Sequence, residues 1–398
     1  MKILHTSDWH VGKVLKGQSR AEEHIAVLAQ VVEIARAERP DLVIVAGDMY
    51  DTAAPTPEAT RLVTRALSAL RGTGAEVVAI GGNHDNGAAL DALRPWADAA
   101  GVVLRGTVRE SAAEHVIEGQ TPDGERWRLV ALPFLSQRYA VRAAEMYELT
   151  AAEASQTYAD HIGRLLGVLC QGFDAPGRRA GGAGAGQHSA GTVNLVTAHL
   201  TVVGATMGGG EREAHSVMGY AVPATVFPGS AHYVALGHLH RAQHVPGPCP
   251  VRYCGSPLAI DFGEGENTPS VAIVEVTAES TAKVRDVPIT AAVPLRTVRG
   301  SLAELSTMDG DQPGWLRVYV REAPRAGLRE EVQALLPKAL EVRIDPEMLP
   351  DTGASARAAQ RAGRSPRDLF GDYLESRGHA DEGVRELFDT LYEEVSGP

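Results

Sequence analysis

Cysteine is scarce in this sequence of 398 residues, which contains only Cys170, Cys249 and Cys254. The count is odd, and no two of them form a C-x-x-C pair. Disulfide-stabilised extracellular domains and structural zinc-thiolate sites need more cysteines or a closer spacing. The sequence therefore argues against both and favours a reducing compartment.

Long hydrophobic runs are also missing. No apolar stretch approaches the roughly 20 residues that a membrane-spanning helix needs. At the start of the sequence, polar residues follow too early for a signal peptide. We therefore expect a cytoplasmic protein with no membrane association. The remaining composition, 44% hydrophobic and 22% charged, is typical of globular proteins.

An excess of positive charge is missing too, since 38 Lys and Arg residues face 50 Asp and Glu residues, for a net charge of -12. A protein that binds nucleic acid through charge alone is basic. If this chain acts on nucleic acid, metal ions or a partner must supply the positive charge.

Two nucleotide-binding motifs are absent. No G-x-x-x-x-G-K-[ST] occurs, so we do not expect the chain to hydrolyse ATP by itself. No G-x-G-x-x-G follows the first predicted strand, which argues against a dinucleotide site.

Short apolar runs alternate with amphipathic stretches in the first part of the chain. They predict strands at 2–6, 42–46, 76–80, 193–197, 233–236 and 271–276, and helices at 22–39 and 57–70. This alternation is typical of an α/β layered domain. The apolar stripe of the second helix is explained either by packing on a sheet or by a homodimer contact.

The composition changes near residue 278, where we place the end of the first domain. Residues 279–350 are predicted to form a small α+β domain, with strands at 293–299, 315–321 and 340–344 and helices at 302–305 and 328–336. Residues 351–398 comprise an Ala-, Gly- and Arg-rich linker followed by two short helices. A glycine-rich stretch at 172–191 is interpreted as a surface insertion.

Side chains that can bind metals follow five of the predicted strands. They are Asp8 with His10, Asp48, Asn83 with His84, His199, and His238 with His240. Taken alone, Asp48 is also explained as a helix cap, and His199 as a core histidine. However, open α/β sheets place their chemistry at the carboxyl ends of central strands. Five such motifs in this order predict a metal site centred on Asp48.

The predicted ligands are carboxylates, imidazoles and one amide. This donor set suits Mn²⁺, Fe²⁺ or Zn²⁺ and does not choose among them. Seven candidate ligands are more than one ion needs. A shared carboxylate gives the ~3.5–4 Å separation of two-metal phosphoryl chemistry. We therefore predict two divalent metal ions.

The five motifs resemble those of the calcineurin-like metallophosphoesterase superfamily. Within it, the small domain and the sequence from Ser365 to Phe370 resemble the SbcD family of nuclease subunits, and the likeness also includes the stretch from Tyr253 to Gly263. The likeness covers nearly the whole chain, and the glycine-rich insertion departs from it. It implies an α/β sandwich of two sheets flanked by helices, with a small α+β capping domain and C-terminal helices.

The resemblance also implies a role for each site residue. The first metal would bind Asp8, His10, Asp48 and His240, and the second Asp48, Asn83, His199 and His238. Asp48 would thus bridge two ions, with Mn²⁺ as the expected metal. His84 would stabilise the scissile phosphate or protonate the leaving oxygen. Asp51 would assist His84, although a turn or helix cap also explains it.

The implied activity is cleavage of DNA in repair and recombination, as an exonuclease at double-strand ends and an endonuclease on single strands and hairpins. The implied partner is SbcC, an ATPase with a long coiled coil, in an assembly with two copies of each subunit. The C-terminal helices would dock on SbcC, or would pack on their own small domain. Two other functions stay open: a metallophosphodiesterase for a small nucleotide, and a scaffold that has lost catalysis.

Overall fold

The computed structural model describes residues 1–109, 111–136, 157–173, 191–211, 220–348, 370–371, 373–374 and 382–388. The glycine-rich insertion predicted at 172–191 lies almost entirely outside these residues, and so does the linker predicted from 351. The predicted C-terminal helices are described only in part.

Two six-stranded sheets form the larger part of the described chain. The first has the order β16 (Ser280–Pro288), β15 (Ser270–Thr277), β1 (Lys2–Thr6), β4 (Leu42–Val45), β5 (Glu76–Ile80) and β6 (Val102–Arg105). The second has the order β13 (Gln243–Val245), β14 (Val251–Tyr253), β12 (Tyr233–Gly237), β9 (Thr192–His199), β8 (Arg126–Leu132) and β7 (Val116–Gln120). Two small ribbons pair β2 (Val14–Leu15) with β3 (Gln18–Ser19), and β10 (Thr201–Val202) with β11 (Ala221–Val222).

The central strands of each sheet run parallel. Strands β1, β4, β5 and β6 are parallel neighbours in the first sheet. Strands β14, β12, β9 and β8 are parallel neighbours in the second. The carboxyl ends of parallel neighbours lie at one edge of a sheet, so the residues that follow these strands are brought together.

Helices cover the outer faces of the two sheets. They are α1 (Ala21–Glu38), α2 (Pro57–Arg71), α3 (Gly87–Ala92), α4 (Arg94–Ala100) and α5 (Tyr158–Leu169). Helix α2 begins where the Thr56 hydroxyl accepts the backbone N–H of Ala59, with Pro57 in the first turn. Its buried face, which includes Val63 and Leu67, belongs to the core between the helices and the first sheet. The apolar stripe of α2 is therefore occupied by packing within the chain.

A separate apolar core lies between the two sheets. Its buried side chains include Ile3 and Ile44 from the first sheet and Leu129 and Leu195 from the second. Each sheet packs against helices on its outer face and against the second sheet on its inner face. The strands are therefore apolar on both faces. This arrangement is the predicted layered sandwich of two sheets flanked by helices, and that prediction is confirmed.

The first domain extends past the predicted boundary at 278, because β16 (Ser280–Pro288) pairs with β15 in the first sheet. The small domain follows β16 and has a parallel sheet of three strands with two helices on one face. The strands are β17 (Leu295–Gly300), β18 (Trp315–Val320) and β19 (Ala339–Ile344), and the helices are α6 (Leu302–Ser306) and α7 (Leu328–Leu335). Alternate β18 residues, such as Val318, pack with Val332 of α7 in its core. At the edge of the domain, Leu295 packs with Leu15 and Phe262 of the larger part of the chain.

None of the described helices is long and apolar enough to cross a membrane.

Candidate metal centre

The polar motifs that follow five strands converge on one place between the two sheets. Asp8 and His10 follow β1, Asp48 follows β4, and Asn83 follows β5. His199 ends β9, while His238 and His240 follow β12. These seven side chains are each at most 9% exposed. The structure therefore brings together every residue that was predicted as a metal ligand.

Asp8, His10 and His240 form the first group, with ligand atoms within 4.8 Å of one another. The Nε2 atoms of His10 and His240 face each other at 3.1 Å. The Asp8 carboxylate accepts the backbone N–H of His238 at 3.0 Å and the Ser7 hydroxyl at 2.5 Å. Contacts from both sheets thus fix this group.

Asp48, His199 and His238 form the second group at the same spacing. Asp48 Oδ2 lies 3.4 Å from His199 Nε2 and 3.8 Å from His10 Nε2, which belongs to the first group. Asn83 Oδ1 lies 2.8 Å from His199 Nε2 and 2.9 Å from His238 Nδ1. Asp48 therefore stands between the two groups, where a bridging ligand must be.

His84 lies beside the two groups and faces His10 at a ring-centroid distance of 4.5 Å. Its backbone N–H donates to Asp48 Oδ1 at 2.7 Å. Its Nδ1 donates to the main-chain carbonyl of Asp51 at 2.7 Å. That bond sets the tautomer, so Nε2 is the nitrogen that can gain or lose a proton during the reaction. The Asp51 carboxylate instead pairs with Lys13 at 3.2 Å.

These contacts give a prediction for Asp51. Asp51→Ala keeps the main-chain carbonyl that holds His84, so turnover should fall far less than the roughly 10²- to 10⁴-fold expected for loss of a general acid. Steady-state cleavage rates of Asp51→Ala and His84→Gln, measured side by side, check it. Equal losses in the two variants would show that the carboxylate itself, which also lies 3.7 Å from His10 Nδ1, is needed for cleavage.

Strained backbone is concentrated at this site. Among the described non-glycine residues with positive φ are Asp8 (54°), His10 (48°), Asp48 (51°) and His238 (102°). Side chains rarely adopt such angles, which cost about 1–3 kcal/mol each. Four predicted ligands have these angles. This is expected where the placement of metal-binding side chains is more important than the preferred backbone conformation.

Glycines let the strand ends approach closely. A Cβ on Gly47, whose φ is 97°, would lie 2.3 Å from His199 Nδ1. A Cβ on Gly82 would lie 2.2 Å from Asp48 Oδ1, and one on Gly237 would lie 1.9 Å from the Ala46 carbonyl oxygen. Gly47 and Gly82 thus leave room for the side chains of two predicted ligands, and Gly237 leaves room for the backbone that precedes Asp48.

The buried charges of the site shift one another's pKa. Burial raises the pKa of Asp8 to about 6. Burial alone would lower the pKa of His199, but the Asp48 carboxylate raises it to about 9. In the same way, burial is outweighed at His240 by Glu264, which raises the pKa to about 10. The neighbouring carboxylates therefore favour the protonated form of both histidines, so binding of a cation to them is coupled to proton release.

The donor set fits divalent metal ions. Two carboxylates, four imidazoles and an amide are buried together, four of them at strained positions, and burying charges without compensation is costly. A divalent cation supplies that compensation, and mixed oxygen and nitrogen donors suit first-row transition metals.

Three carboxylates near the site had no role assigned from the sequence. Asp85 accepts the backbone N–H groups of Met49, Tyr50 and Gly82, and so joins the Asp48 loop to the Asn83 loop. Glu264 accepts the ring N–H of His240, and Glu211 accepts its backbone N–H. Asp85 was visible in the Gly-Asn-His-Asp motif, whereas nothing in the sequence marked the two glutamates.

This fold and site are those of a metallophosphoesterase. The calcineurin-like phosphoesterase family matches residues 1–138. A second family, described as the type 5 capsule protein repressor C-terminal domain, matches residues 291–378.

Full-length relatives define the chain more closely. It is 30% identical over 337 residues to the SbcD subunit of the nuclease SbcCD from Escherichia coli K12, covering 80% of this chain and 78% of that protein. It is 32% identical over 338 residues to the SbcD subunit of the same nuclease from Bacillus subtilis, covering 83% of this chain and 81% of that protein. The chain therefore belongs to the SbcD family of metal-dependent nuclease subunits, which confirms the predicted family and enzyme class. Membership of this family also implies divalent metal ions.

Proposed function

We propose that the chain is the Mn²⁺-dependent DNA nuclease subunit of a complex with an SbcC-type ATPase. The observation that carries the proposal is the convergence of seven buried candidate ligands, with Asp48 between the two groups that they form. We infer exonuclease action at double-strand ends and endonuclease action on single strands and hairpins, in DNA repair and recombination in the cytoplasm.

Asp8, His10, Asp48 and His240 would hold one ion, and Asp48, Asn83, His199 and His238 the other. Two such ions would lower the pKa of a bound water and would offset the negative charge that develops on phosphoryl oxygens. The protein's own part is to fix the ligands, and the two sheets do so through Asp8, Asp48 and the backbone of His238.

His84 would act on the leaving oxygen. Its Nδ1 is held by the Asp51 carbonyl, so Nε2 is oriented by a fixed main-chain contact. A protonated Nε2 can donate its proton as the P–O bond breaks, or can stabilise negative charge on the phosphate. The Asp48 carboxylate, which accepts the His84 backbone N–H, fixes the position of the imidazole relative to the ligands.

The acidic chain must still accept DNA, and we propose that the small domain, which was predicted at 279–350 and is formed by β17 to β19 with α6 and α7, acts as a DNA-capping domain. Arg299, Tyr319 and Arg343 are cross-strand neighbours in one row of its sheet. The Arg299 guanidinium lies 4.5 Å from the centroid of the Tyr319 ring. The side chains of Arg299 and Arg343 are 51% and 48% exposed. Such a row suits contacts with phosphates.

Substrate choice tests the proposal. Purified chain with Mn²⁺ should cleave a hairpin DNA and should leave cyclic nucleotides intact, with cleavage lost on chelation and restored by Mn²⁺. Hydrolysis of cyclic nucleotides without hairpin cleavage would instead support a small-substrate phosphodiesterase. No hydrolysis of either, with metals bound, would support a scaffold.

We further propose that the C-terminal helices dock on SbcC, in an assembly with two copies of each subunit. The relatives are named as parts of SbcCD nucleases, which supports an SbcC partner. Phe370 stacks on Phe388 at a centroid distance of 4.1 Å, so the two segments pack together. Tyr373 and Leu387 are 53% and 59% exposed. Helices with exposed apolar side chains suit a helix-on-helix contact.

A single substitution tests this docking. Leu387→Asp places a charge on the exposed apolar surface, so the variant should no longer co-purify with SbcC, while its Mn²⁺-dependent cleavage of single-stranded DNA stays at the wild-type rate. The control Glu386→Gln changes an exposed neighbour. Retained co-purification of Leu387→Asp would contradict the docking.

A further inference from the structure

Glu264 is a buried carboxylate directly behind His240. It is 1% exposed and belongs to the 3₁₀ turn Phe262–Glu264. Its Oε1 accepts the ring N–H of His240 Nδ1 at 2.8 Å, and its Oε2 accepts the backbone N–H of Ile260 at 3.0 Å. Both oxygens are therefore engaged, one with a predicted metal ligand and one with the turn that carries the glutamate.

Neighbouring residues pack closely on this contact and on the turn that carries Glu264. A Cβ on Gly210 would lie 1.7 Å from Glu264 Oε1 and 3.0 Å from His240 Nδ1, so a glycine packs directly on the hydrogen bond. Two residues before Glu264, Phe262 is 5% exposed and lies 4.9 Å below the Arg317 guanidinium of the small domain. Gly210 and Arg317 thus contact the two ends of the Phe262–Glu264 turn.

The contact also fixes which ring nitrogen of His240 can bind a metal. Because Nδ1 keeps its proton in the bond to Glu264, Nε2 is the ring nitrogen that can give up a proton and bind a metal. That Nε2 is the atom that faces His10 Nε2 at 3.1 Å. The other group is built differently, since His199 Nδ1 donates to the neutral main-chain carbonyl of Ala46 at 2.9 Å. A carboxylate makes an imidazole a stronger metal ligand than a carbonyl does.

We propose that Glu264 is a positioning residue that orients His240 and strengthens metal binding in the group formed by Asp8, His10 and His240. The inference rests on the proposed two-metal site. It predicts that the two metal positions differ in affinity and that Glu264 acts on one of them.

Two substitutions separate orientation from simple packing. Glutamine has one acceptor oxygen, whereas Glu264 serves two donors. If that oxygen stays with Ile260, the amide NH₂ faces His240 Nδ1, and the ring proton moves to Nε2, where it competes with the metal. Alanine removes both contacts. Glu264→Gln and Glu264→Ala should each weaken one Mn²⁺-binding step by about 10- to 100-fold and leave the other unchanged.

The measurement is calorimetric titration of the metal-free full chain with Mn²⁺, together with its melting temperature in chelator. Glu266→Gln is the matched control, since Glu266 is an exposed carboxylate two residues away. The hairpin cleavage rate of Glu264→Gln should return towards the wild-type value at saturating Mn²⁺, which a purely structural defect would not allow.

The outcomes are distinct. Two unchanged Mn²⁺-binding steps in both variants would overturn the role of Glu264 while leaving the proposed function intact. Equal weakening of both steps, with a lower melting temperature in chelator, would make Glu264 a structural residue and would also overturn the inference. Failure of the wild-type chain to bind two ions would overturn the proposed function together with this inference.

Discussion

Asp48→Ala should abolish Mn²⁺-dependent cleavage and should lower the bound metal from two ions per chain to one or none. Asp48 Oδ2 lies 3.4 Å from His199 Nε2 and 3.8 Å from His10 Nε2, so its loss affects both ligand groups at once. The Asp48 carboxylate also accepts the backbone N–H of His84, which would lose its position. Elemental analysis of the metal content and hairpin cleavage assays measure the two effects.

The control for this substitution lies at the other end of the same strand. Asp41 accepts the backbone N–H of Lys2 at 2.7 Å and lies far along β4 from the site. Asp41→Asn keeps an acceptor oxygen there, so metal content and cleavage should stay at wild-type values. Near wild-type cleavage by a folded Asp48→Ala variant would show that the shared carboxylate is not needed.

His84→Gln should retain two Mn²⁺ ions and DNA binding while turnover falls by about 10²- to 10⁴-fold, the range for loss of a general acid. The reason is that His84 contacts Asp48 through its backbone N–H, which glutamine keeps, whereas the imidazole is lost. Single-turnover rates at saturating Mn²⁺ separate the chemical step from metal binding.

His244→Gln is the control for this loss, because His244 is an exposed histidine on β13. It should cleave at the wild-type rate. If the metal content of His84→Gln instead fell together with its activity, His84 would be a ligand, and its assignment as an acid would be wrong.

Much of the fold could be predicted because its central strands are short and apolar. The strand predictions at 2–6 and 76–80 match β1 and β5, and the helix predicted at 57–70 ends one residue short of α2. Strand β7 was missed because it is half-exposed and lacks a clean alternation of apolar and polar residues. Helix α5 was missed even though Thr157 and Asp160 form a capping box at its start.

The metal ligands could be predicted from the local sequence, whereas the residues that hold them in place could not. Each predicted ligand ends a strand or follows one within four residues, so its position along the chain indicated its position in the sheet. Glu264 lies 24 residues after His240 in a Gly- and Glu-rich turn that resembles an ordinary surface loop. Only the folded chain brings it behind the imidazole. The main-chain bond between His84 and Asp51 was equally hidden, because sequence patterns describe side chains.

The most direct test of the two-metal site is a crystal structure of the wild-type chain with Mn²⁺, with the ions located by their anomalous scattering. We predict two peaks ~3.5–4 Å apart, with the Asp48 carboxylate between them. One peak should contact Asp8, His10 and His240, and the other Asn83, His199 and His238. A single peak, or a second ion that does not contact Asp48, would contradict the shared-carboxylate site.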